Sequence, residues 1–326
     1  MKKFFIATQS ALTIISAFIG AGFASGAEIA RFFINFNIFS VHFAFFVGIL
    51  FGIFIYVNTN SETDYTPGLA LNIAETIIFF ILTSTMISGI NIISKIILPK
   101  FPIVTIICVI TAYILLQFDF NKWTKISAII CITILLTIIL NFFLNIPYRI
   151  STNNYSLNVS TFCLPIIYLC MNCFSIYPLV QSLGQFITSK KDRIITAMLS
   201  GSILITLIVI ILLTISNHPN GTMPLLDSAR DISSAFYNVY IVILLLSIFT
   251  TLLSSFYTLS KHTIRFVKNP KINFLVCFIS ATMFSFIGFQ NIVTIFYPVL
   301  GIIGLVFIIR QIILNHKFKQ LHPTKS

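Results

Sequence analysis

Charged side chains are scarce in this chain, and carboxylates are the scarcest of them. Only 9% of the 326 residues are Asp, Glu, Lys or Arg, and just 8 residues are acidic. A soluble domain carries about 25% charged residues, so the composition excludes a chain that is mostly soluble. With 57% hydrophobic residues and a mean hydropathy of +1.01, the sequence predicts an all-α polytopic membrane protein.

The residue groupings that support catalysis or metal binding are also missing. The predicted spans contain no paired Asp, His cluster, nucleotide-binding loop or Ser/His arrangement, so we expect no enzyme and no cofactor. The six cysteines lie in apolar segments, where Cys behaves as a small hydrophobe. Cys170 and Cys173 have the spacing of a redox or metal pair, but no second Cys/His pair accompanies them at ligand spacing.

The basic residues are unevenly distributed along the chain. A formal net charge of +12 suggests a nucleic-acid partner in a soluble protein. Most of the Lys and Arg residues, Lys2-Lys3 and those of 190–193 among them, instead fall in loops on one side of ten predicted spans. This positive-inside bias predicts both termini in the cytoplasm, a plasma-membrane location and no nucleic-acid partner. The oligomeric state is not readable from the pattern.

The ten predicted spans divide into two sets of five. Their approximate limits are 4–33, 38–57, 71–97, 102–118, 126–146, 161–187, 194–215, 235–259, 272–287 and 292–314. We expect one transmembrane domain with a first repeat over about 4–146, a second over about 161–314 and a basic tail over 315–326. Because each set has an odd number of spans, the second repeat would lie upside down relative to the first.

Three further segments carry structural expectations. Gly48 and Gly52 in the second span have the G-x-x-x-G spacing of a close helix-packing face. The longest outer loop, 216–233, includes a possible short surface helix at 223–230. Span ten is expected to kink at Pro298.

The first span is too long and too rich in glycine for a straight helix. It covers residues 4–33, whereas about twenty residues cross a bilayer core. Gly20, Gly22 and Gly26 lie in its middle, and each costs a helix up to about 1 kcal/mol relative to Ala. We therefore predict two half-helices joined by unwound backbone near the membrane midplane.

The sequence also indicates where the helix starts again. Ser25 and Glu28 have the spacing of a capping box, which marks a helix start. The alternative is a continuous helix that uses Gly22 and Gly26 for packing. Glu28 is the acidic residue placed near the membrane interior, where ionisable groups are costly and usually functional. It is expected either to bind a substrate amine or carry a coupling proton, or only to cap the helix.

Span six is the second irregular span. It holds Asn172, Ser175, Tyr177 and Pro178 within apolar sequence. Pro178 lacks a backbone donor and pushes Tyr177 away from helical angles, which predicts a second break; the alternative is a simple proline kink. Interrupted helices at matching places in two halves point to an inverted-repeat secondary transporter with its site at the breaks.

The predicted binding site lies where spans one and six face each other. The half-helix that restarts after Ser25 would point its positive end at an anionic group, and carbonyls near Gly20 would suit an ammonium group. Together these ends fit an amino-acid zwitterion, with Phe23 and Tyr177 closing over it. The predicted substrate-binding residues are Gly20, Ala21, Gly22, Phe23, Ser25, Gly26, Glu28, Asn172, Ser175 and Tyr177.

Residues 19–29, Ile-Gly-Ala-Gly-Phe-Ala-Ser-Gly-Ala-Glu-Ile, resemble the first-helix motif of the YkvI-type membrane proteins. This family is related to the amino acid–polyamine–organocation transporters of LeuT-type fold. Residues 249–251, Phe-Thr-Thr, are similar to a second element of the family, whereas Ala27 stands where a longer polar residue such as Gln is usual. The resemblance implies a 5+5 inverted repeat with broken helices one and six, and secondary active transport by alternating access.

The resemblance also implies a coupling ion, either Na⁺ or H⁺. In sodium-coupled relatives, hydroxyls of span eight and carbonyls of span one bind the ion, which makes Thr250, Thr251 and Gly20 the Na⁺ candidates here. The alternative is that these hydroxyls bond carbonyls of their own helix. Some relatives are ligand-sensing subunits, as in germinant receptors, so a non-transporting sensor is the alternative to amino-acid symport.

Overall fold

The computed structural model describes residues 2–33, 38–59, 68–100, 103–115, 121–145, 159–185, 187, 189–218 and 220–321. Over these residues the chain forms helices and no strand. The α-helices are α1 (Lys2–Phe18), α2 (Ala21–Ala24), α3 (Ala27–Phe32), α4 (Ile38–Asn58), α5 (Leu69–Ile97), α6 (Ile103–Leu115), α7 (Asn121–Leu144), α8 (Val159–Gly184), α9 (Lys190–Thr214), α10 (Pro224–Ile232), α11 (Ser234–Thr263), α12 (Pro270–Ser285), α13 (Phe289–Asn291) and α14 (Tyr297–Leu321). A 3-10 turn covers Ile215–Asn217 and a π-helical stretch covers Ile292–Phe296.

Most of these helices are apolar enough to lie in a bilayer. Six are long enough to cross it: Ser40–Asn58, Leu71–Ile97, Phe162–Gly184, Lys190–Asn217, Ser234–Thr263 and Phe289–Gln311. Four shorter apolar helices cover Ile6–Phe18, Ile103–Leu115, Ile132–Leu144 and Pro270–Ser285. Large hydrophobic side chains such as Phe45, Ile106 and Leu136 point outward, as on a surface that faces lipid. The prediction of an all-α polytopic membrane protein is confirmed.

The helices pack side by side in a defined set of pairs. The most extensive contacts join α4 to α9, α5 to α11, α8 to α14 and α1 to α9. Further contacts join α4 to α8, α5 to α6 and α11 to α12. The first interrupted segment thus lies against α8, α9 and α11, in the interior of the bundle.

Glycines bring α4 and α9 into close contact, as the sequence predicted. A Cβ at Gly201 of α9 would lie 2.8 Å from the carbonyl oxygen of Gly48, and a Cβ at Gly52 would lie 3.1 Å from that of Ala197. No larger side chain fits between the two backbones without moving one of them. The G-x-x-x-G spacing of α4 therefore serves helix packing.

The predicted break in span six is wrong. Helix α8 runs without interruption from Val159 to Gly184 and contains both Pro165 and Pro178. A proline removes one backbone hydrogen bond, and a membrane helix tolerates that loss when neighbouring helices surround it. The irregular sequence around Tyr177 reflects side chains that pack against other helices, not an unwound segment.

Span ten deviates from a regular helix just before Pro298, where the sequence predicted a kink. The π-helical stretch Ile292–Phe296 precedes α14 and follows the short helix α13. Pro298 has no backbone N–H, so it cannot continue the i→i−4 hydrogen-bond pattern of the α-helix. A short π-helical stretch accommodates the missing bond at such a point. This geometry sets the direction in which Tyr297 points, towards the interior of the bundle.

Candidate functional site

The first apolar segment is interrupted near the glycines, as the sequence predicted, but at two places rather than one. After α1 ends, Ile19 and Gly20 are not helical, and the N–H of Gly20 donates to the carbonyl of Phe18 at 3.0 Å. After α2, the N–H of Gly26 donates to the carbonyl of Phe23 at 3.0 Å. Both bonds span fewer residues than an α-helical bond, so the regular ladder is lost at both positions.

The helix restart differs from the predicted capping box. Gly26, with φ of 78°, is the N-cap of α3 and has no side chain to cap it. The hydroxyl of Ser25 donates back to the carbonyl of Gly22 at 3.1 Å and accepts from the N–H of Ala27 at 3.4 Å. The left-handed turn at Gly26, which glycine adopts readily, moves the start of α3 past Ser25. Glu28 is therefore the second residue of α3 and does not stand three residues after the N-cap, as a capping box requires.

The carboxylate of Glu28 lies inside the protein, folded back over the break. The side chain is 4% exposed and occupies the position where a Cβ on Gly22 would be. Its carboxylate faces the hydroxyls of Tyr168 on α8 and Tyr297 on α14. Thr85 of α5 adjoins the Tyr297 hydroxyl. An acidic group thus lies beside hydroxyls from two other helices, an arrangement able to bind a cation, an amine or a proton.

Aromatic rings enclose this polar cluster. The ring of Tyr168 lies 5.8 Å from that of Phe18, 5.3 Å from that of Phe32 and 5.9 Å from that of Phe33. Asn172, one of the predicted site residues, donates from its amide to the carbonyl of Tyr168 at 3.0 Å. The structure therefore brings Asn172 next to the residue that faces Glu28.

The short helix expected in the outer loop is present as α10, and its buried face packs over the second interruption, at Ser25 and Gly26. The backbone N–H of Leu225 donates to the carbonyl of Ser25 at 3.0 Å. The Leu225 side chain and Ile215 pack onto Gly26, where a Cβ would lie 3.1 Å and 3.2 Å from them. Asn141 of α7 donates to the carbonyl of Leu225 at 3.0 Å. The apolar face of α10 is buried because it packs on the start of α3, where the positive helix end was expected to meet substrate.

Tyr240 of α11 satisfies another backbone group at the break. Its hydroxyl donates to the carbonyl of Ala24 at 2.9 Å, and both groups are buried. Tyr240→Phe leaves that carbonyl without its partner, a loss that costs about 1–3 kcal/mol. We expect a clearly lower melting temperature in detergent.

The matched control for Tyr240 is Tyr237→Phe. Tyr237 accepts a hydrogen bond from the exposed Arg230, and exposed contacts of this kind contribute about 0–1 kcal/mol. Equal melting temperatures for the two variants would contradict a supporting role for the Tyr240 hydroxyl.

The other residues predicted for the site lie in separate surroundings. Phe23 packs edge-on against Phe18, with the ring centroids 6.0 Å apart. Ser175 donates to the carbonyl of Asn172 at 2.8 Å. Tyr177 lies more than one helical turn beyond Asn172, and its ring packs against that of Phe307, with the ring centroids 4.8 Å apart. The backbone of Ala21 lies in α2, and its side chain is outside the described part.

Of the sodium candidates, Gly20 and Thr251 lie close together. A Cβ on Gly20 would lie 3.8 Å from the Thr251 side chain and 3.9 Å from that of Met86. The hydroxyls of Thr250 and Thr251 both donate to the carbonyl of Ser247, at 2.9 Å and 3.0 Å, as in the alternative of bonds within one helix. Among the residues described, no group of three His, Cys, Asp or Glu side chains could hold a metal ion.

Two apolar grooves lie elsewhere on the bundle. One, of about 390 Å³, runs between α4 and α9; the other, of about 420 Å³, is bordered by α5, α11 and α12. Neither groove is lined by residues of the interrupted segment. The side chains of Glu28, Leu225 and Tyr240 pack against that segment instead. The segment is thus in a closed arrangement, with α10 over it.

Sequence reasoning missed Tyr168, Tyr297, Thr85 and Tyr240. Tyrosines within apolar spans look like ordinary core residues, and no spacing signal separates them from the rest. A π-helical stretch before Tyr297 is the one local irregularity near any of them. Only the packing of α8, α11 and α14 on the break identifies these residues.

No family model matches the chain, and no curated protein does either. Among solved structures, a mutant of the Eremococcus coleocola manganese transporter superposes with a TM-score of 0.55 at 12% identity, over 94% of this chain and 77% of that chain. The same transporter, in complex with an aromatic bis-isothiourea substituted compound, gives 0.46 at 12% identity over 98% and 73%. The first likeness shows that this chain shares the fold of a membrane transporter. The YkvI-type resemblance stays a prediction based on the motif.

Proposed function

We propose that the chain is a secondary active transporter of a small amino-acid-like or amine solute, working by alternating access in the plasma membrane. The observation that carries the proposal is the doubly interrupted first helix with Glu28 folded onto it. Unwound backbone at membrane depth is tolerated where it lines a binding site or a water-filled path. The proposal assigns binding and transport, and no catalysis, to these residues.

The helix contacts support a 5+5 arrangement. Exchanging the first set of five apolar segments with the second maps the α4–α9 and α5–α11 pairs onto themselves. The same exchange maps the α1–α9 pair onto the α8–α4 pair, and the α5–α6 pair onto the α11–α12 pair. Such two-fold pairing is expected of a repeat of five spans, and an odd number of spans requires the repeat to be inverted. The cytoplasmic position of both termini follows from the positive-inside bias.

The surroundings of Glu28 favour a solute that carries an amine. Its carboxyl group supplies a negative charge once it is deprotonated, and Tyr168 and Tyr297 supply hydroxyls that donate or accept, with Thr85 beside Tyr297. An ammonium group needs acceptors and a counter-charge, which this cluster offers. Binding would require α10 to move away from Gly26, so that the solute reaches the break.

Sodium coupling is a separate proposal with its own test. If Na⁺ binds between the Gly20 carbonyl and Thr251, replacing Na⁺ by choline should lower uptake at least tenfold. Thr251→Val, which removes one ligand oxygen at similar volume, should raise the Na⁺ concentration for half-maximal uptake. Thr258→Val, at a partly buried threonine two turns along α11 whose hydroxyl donates to the Ser254 carbonyl, is the control. Uptake that is indifferent to choline but follows the pH gradient supports H⁺ coupling instead.

A solute screen followed by a flux assay tests the function. Purified protein is screened by thermal shift against amino acids and amines, with and without Na⁺, because a bound ligand stabilises the folded state. Each stabilising compound is then tested in proteoliposomes. Uptake that saturates with concentration supports transport. Binding without any flux favours the ligand-sensing alternative, and no stabilisation by any amine contradicts the solute class.

A further inference from the structure

A second buried carboxylate lies away from the break, on helix α5. Glu75 is 1% exposed, and its Oε2 atom lies 3.5 Å from Nδ1 of His262 on α11. Glu75 is about 16 Å along α5 from Met86, which adjoins the break, at 1.5 Å per residue. The pair is thus separate from the Glu28 cluster, and it lies where α11 ends, at the opposite end of that helix from α10.

The imidazole of His262 is held in one orientation. Its Nδ1 lies 2.8 Å from Oδ1 of Asn72, while the Asn72 amide nitrogen donates to the His262 carbonyl at 3.4 Å. The second bond fixes which end of the amide is oxygen, and an amide oxygen only accepts, so Nδ1 carries a hydrogen. Phe79 stacks on the ring, with centroids 5.9 Å apart and planes 12° apart.

The two groups differ in their access to water. The His262 side chain is 14% exposed, whereas that of Glu75 is 1% exposed. A proton can therefore enter or leave through the outer edge of the imidazole, while the carboxylate stays enclosed. A carboxylate this close to an imidazole couples the titration of the two groups.

The other charged or titratable groups near the pair come from several elements. Arg265, after the end of α11, interacts electrostatically with His262. Tyr177 of α8 interacts electrostatically with Glu75. From α12, Cys277 packs against the end of α11. Among these neighbours, Glu75 is the one acidic side chain.

We propose that Glu75 and His262 form a proton-binding site that takes up and releases one proton at this end of the bundle. On release, the N–H bond at Nε2 of the protonated imidazole breaks, its electrons stay on that nitrogen, and the proton passes to water at the exposed edge of His262, while Nδ1 keeps the hydrogen that it donates to Asn72. The site's role in coupling rests on the proposed transport function. In the membrane orientation predicted from the basic residues, the proton-binding site faces the cytoplasm.

Infrared titration of the purified protein tests the site without any solute. In the wild type, we expect one carboxyl band and one imidazole band to titrate together. Glu75→Gln should remove that carboxyl band and shift the imidazole titration, and His262→Gln should shift the carboxyl titration. Asp231→Asn, which alters an exposed carboxylate paired with His218, should change neither band. An imidazole titration that is identical in Glu75→Gln and wild type would overturn the proposal.

A flux measurement tests the link to transport. With a solute found by the screen, Glu75→Gln should retain solute exchange across proteoliposomes while losing solute-driven proton movement by at least tenfold. Proton movement that persists in the variant contradicts the coupling role, and so does loss of exchange in a variant that still binds solute. Absence of solute flux in the wild type counts against the proposed function alone, because the infrared titration is independent of it.

Discussion

Glu28→Gln is expected to abolish uptake, by roughly 100-fold or more, while the protein remains folded in the membrane. Gln has nearly the same shape, so the packing against Gly22 is kept. It offers no negative charge for an ammonium group and no dissociable proton. Losing one charge-assisted bond in a buried site costs about 3 kcal/mol, which is roughly 100-fold in affinity. The measurement is uptake in proteoliposomes, with the melting temperature as the check on folding.

The matched carboxylate control is Asp231→Asn. Asp231 pairs with His218 at 2.6 Å on an exposed part of the outer segment, and its side chain is 48% exposed. Exposed pairs contribute about 0–1 kcal/mol, so uptake by this variant should match the wild type. Wild-type uptake and unchanged pH dependence in Glu28→Gln would reduce Glu28 to a structural residue and remove the main support for the proposed site.

Gly22→Ala is expected to lower uptake at least tenfold, although alanine is the better helix former. The added Cβ would occupy the space of the Glu28 side chain, so the carboxylate must move away from Tyr168 and Tyr297. Neighbouring rings leave it little room to do so. Alanine favours helix by about 1 kcal/mol relative to glycine, which offsets part of the roughly 1–3 kcal/mol that overpacking a buried site costs, so we expect a modestly lower melting temperature in a protein that still folds. A cooperative melting transition alongside the drop in uptake separates this effect from misfolding.

Gly89→Ala is the control for the added methyl group. At Gly89, in the interior of α5, the nearest atoms to a new Cβ are Ile248 at 3.4 Å and Phe289 at 3.6 Å, which is ordinary contact. We expect near-normal uptake from that variant. If Gly22→Ala also transports normally, Glu28 does not need its present position over the break, and the site geometry proposed above is wrong.

The first-span motif and span six show what a sequence pattern is able to predict. Three glycines in one apolar segment lower helix stability whatever surrounds them, so the interruption near Gly20 is a local property and the prediction is confirmed. Pro178 also disfavours a helix through its own backbone, yet α8 continues through it. The difference lies in packing: α14 and α4 support α8 on both sides of the proline.

Sequence patterns did not predict which side chains lie beside Glu28 and Glu75. Tyr168 and Tyr297 are distant from Glu28 in the chain and meet it only through the packing of α8 and α14 on α3. Glu75 and His262 meet through the pairing of α5 with α11. No periodicity within a single segment encodes such a contact, because it depends on which helices become neighbours.

The sequence by itself determined the all-α membrane class, the interruption at the glycines of the first segment and the close packing of α4 through Gly48 and Gly52. Each of these follows from properties of a single segment: its hydropathy, its backbone freedom or its small side chains. The tertiary structure decided that Ser25 is not the cap, that α8 is continuous and that α10 covers the break. Those outcomes depend on neighbouring helices, which supply or withhold the partners that backbone and polar groups require inside a bilayer.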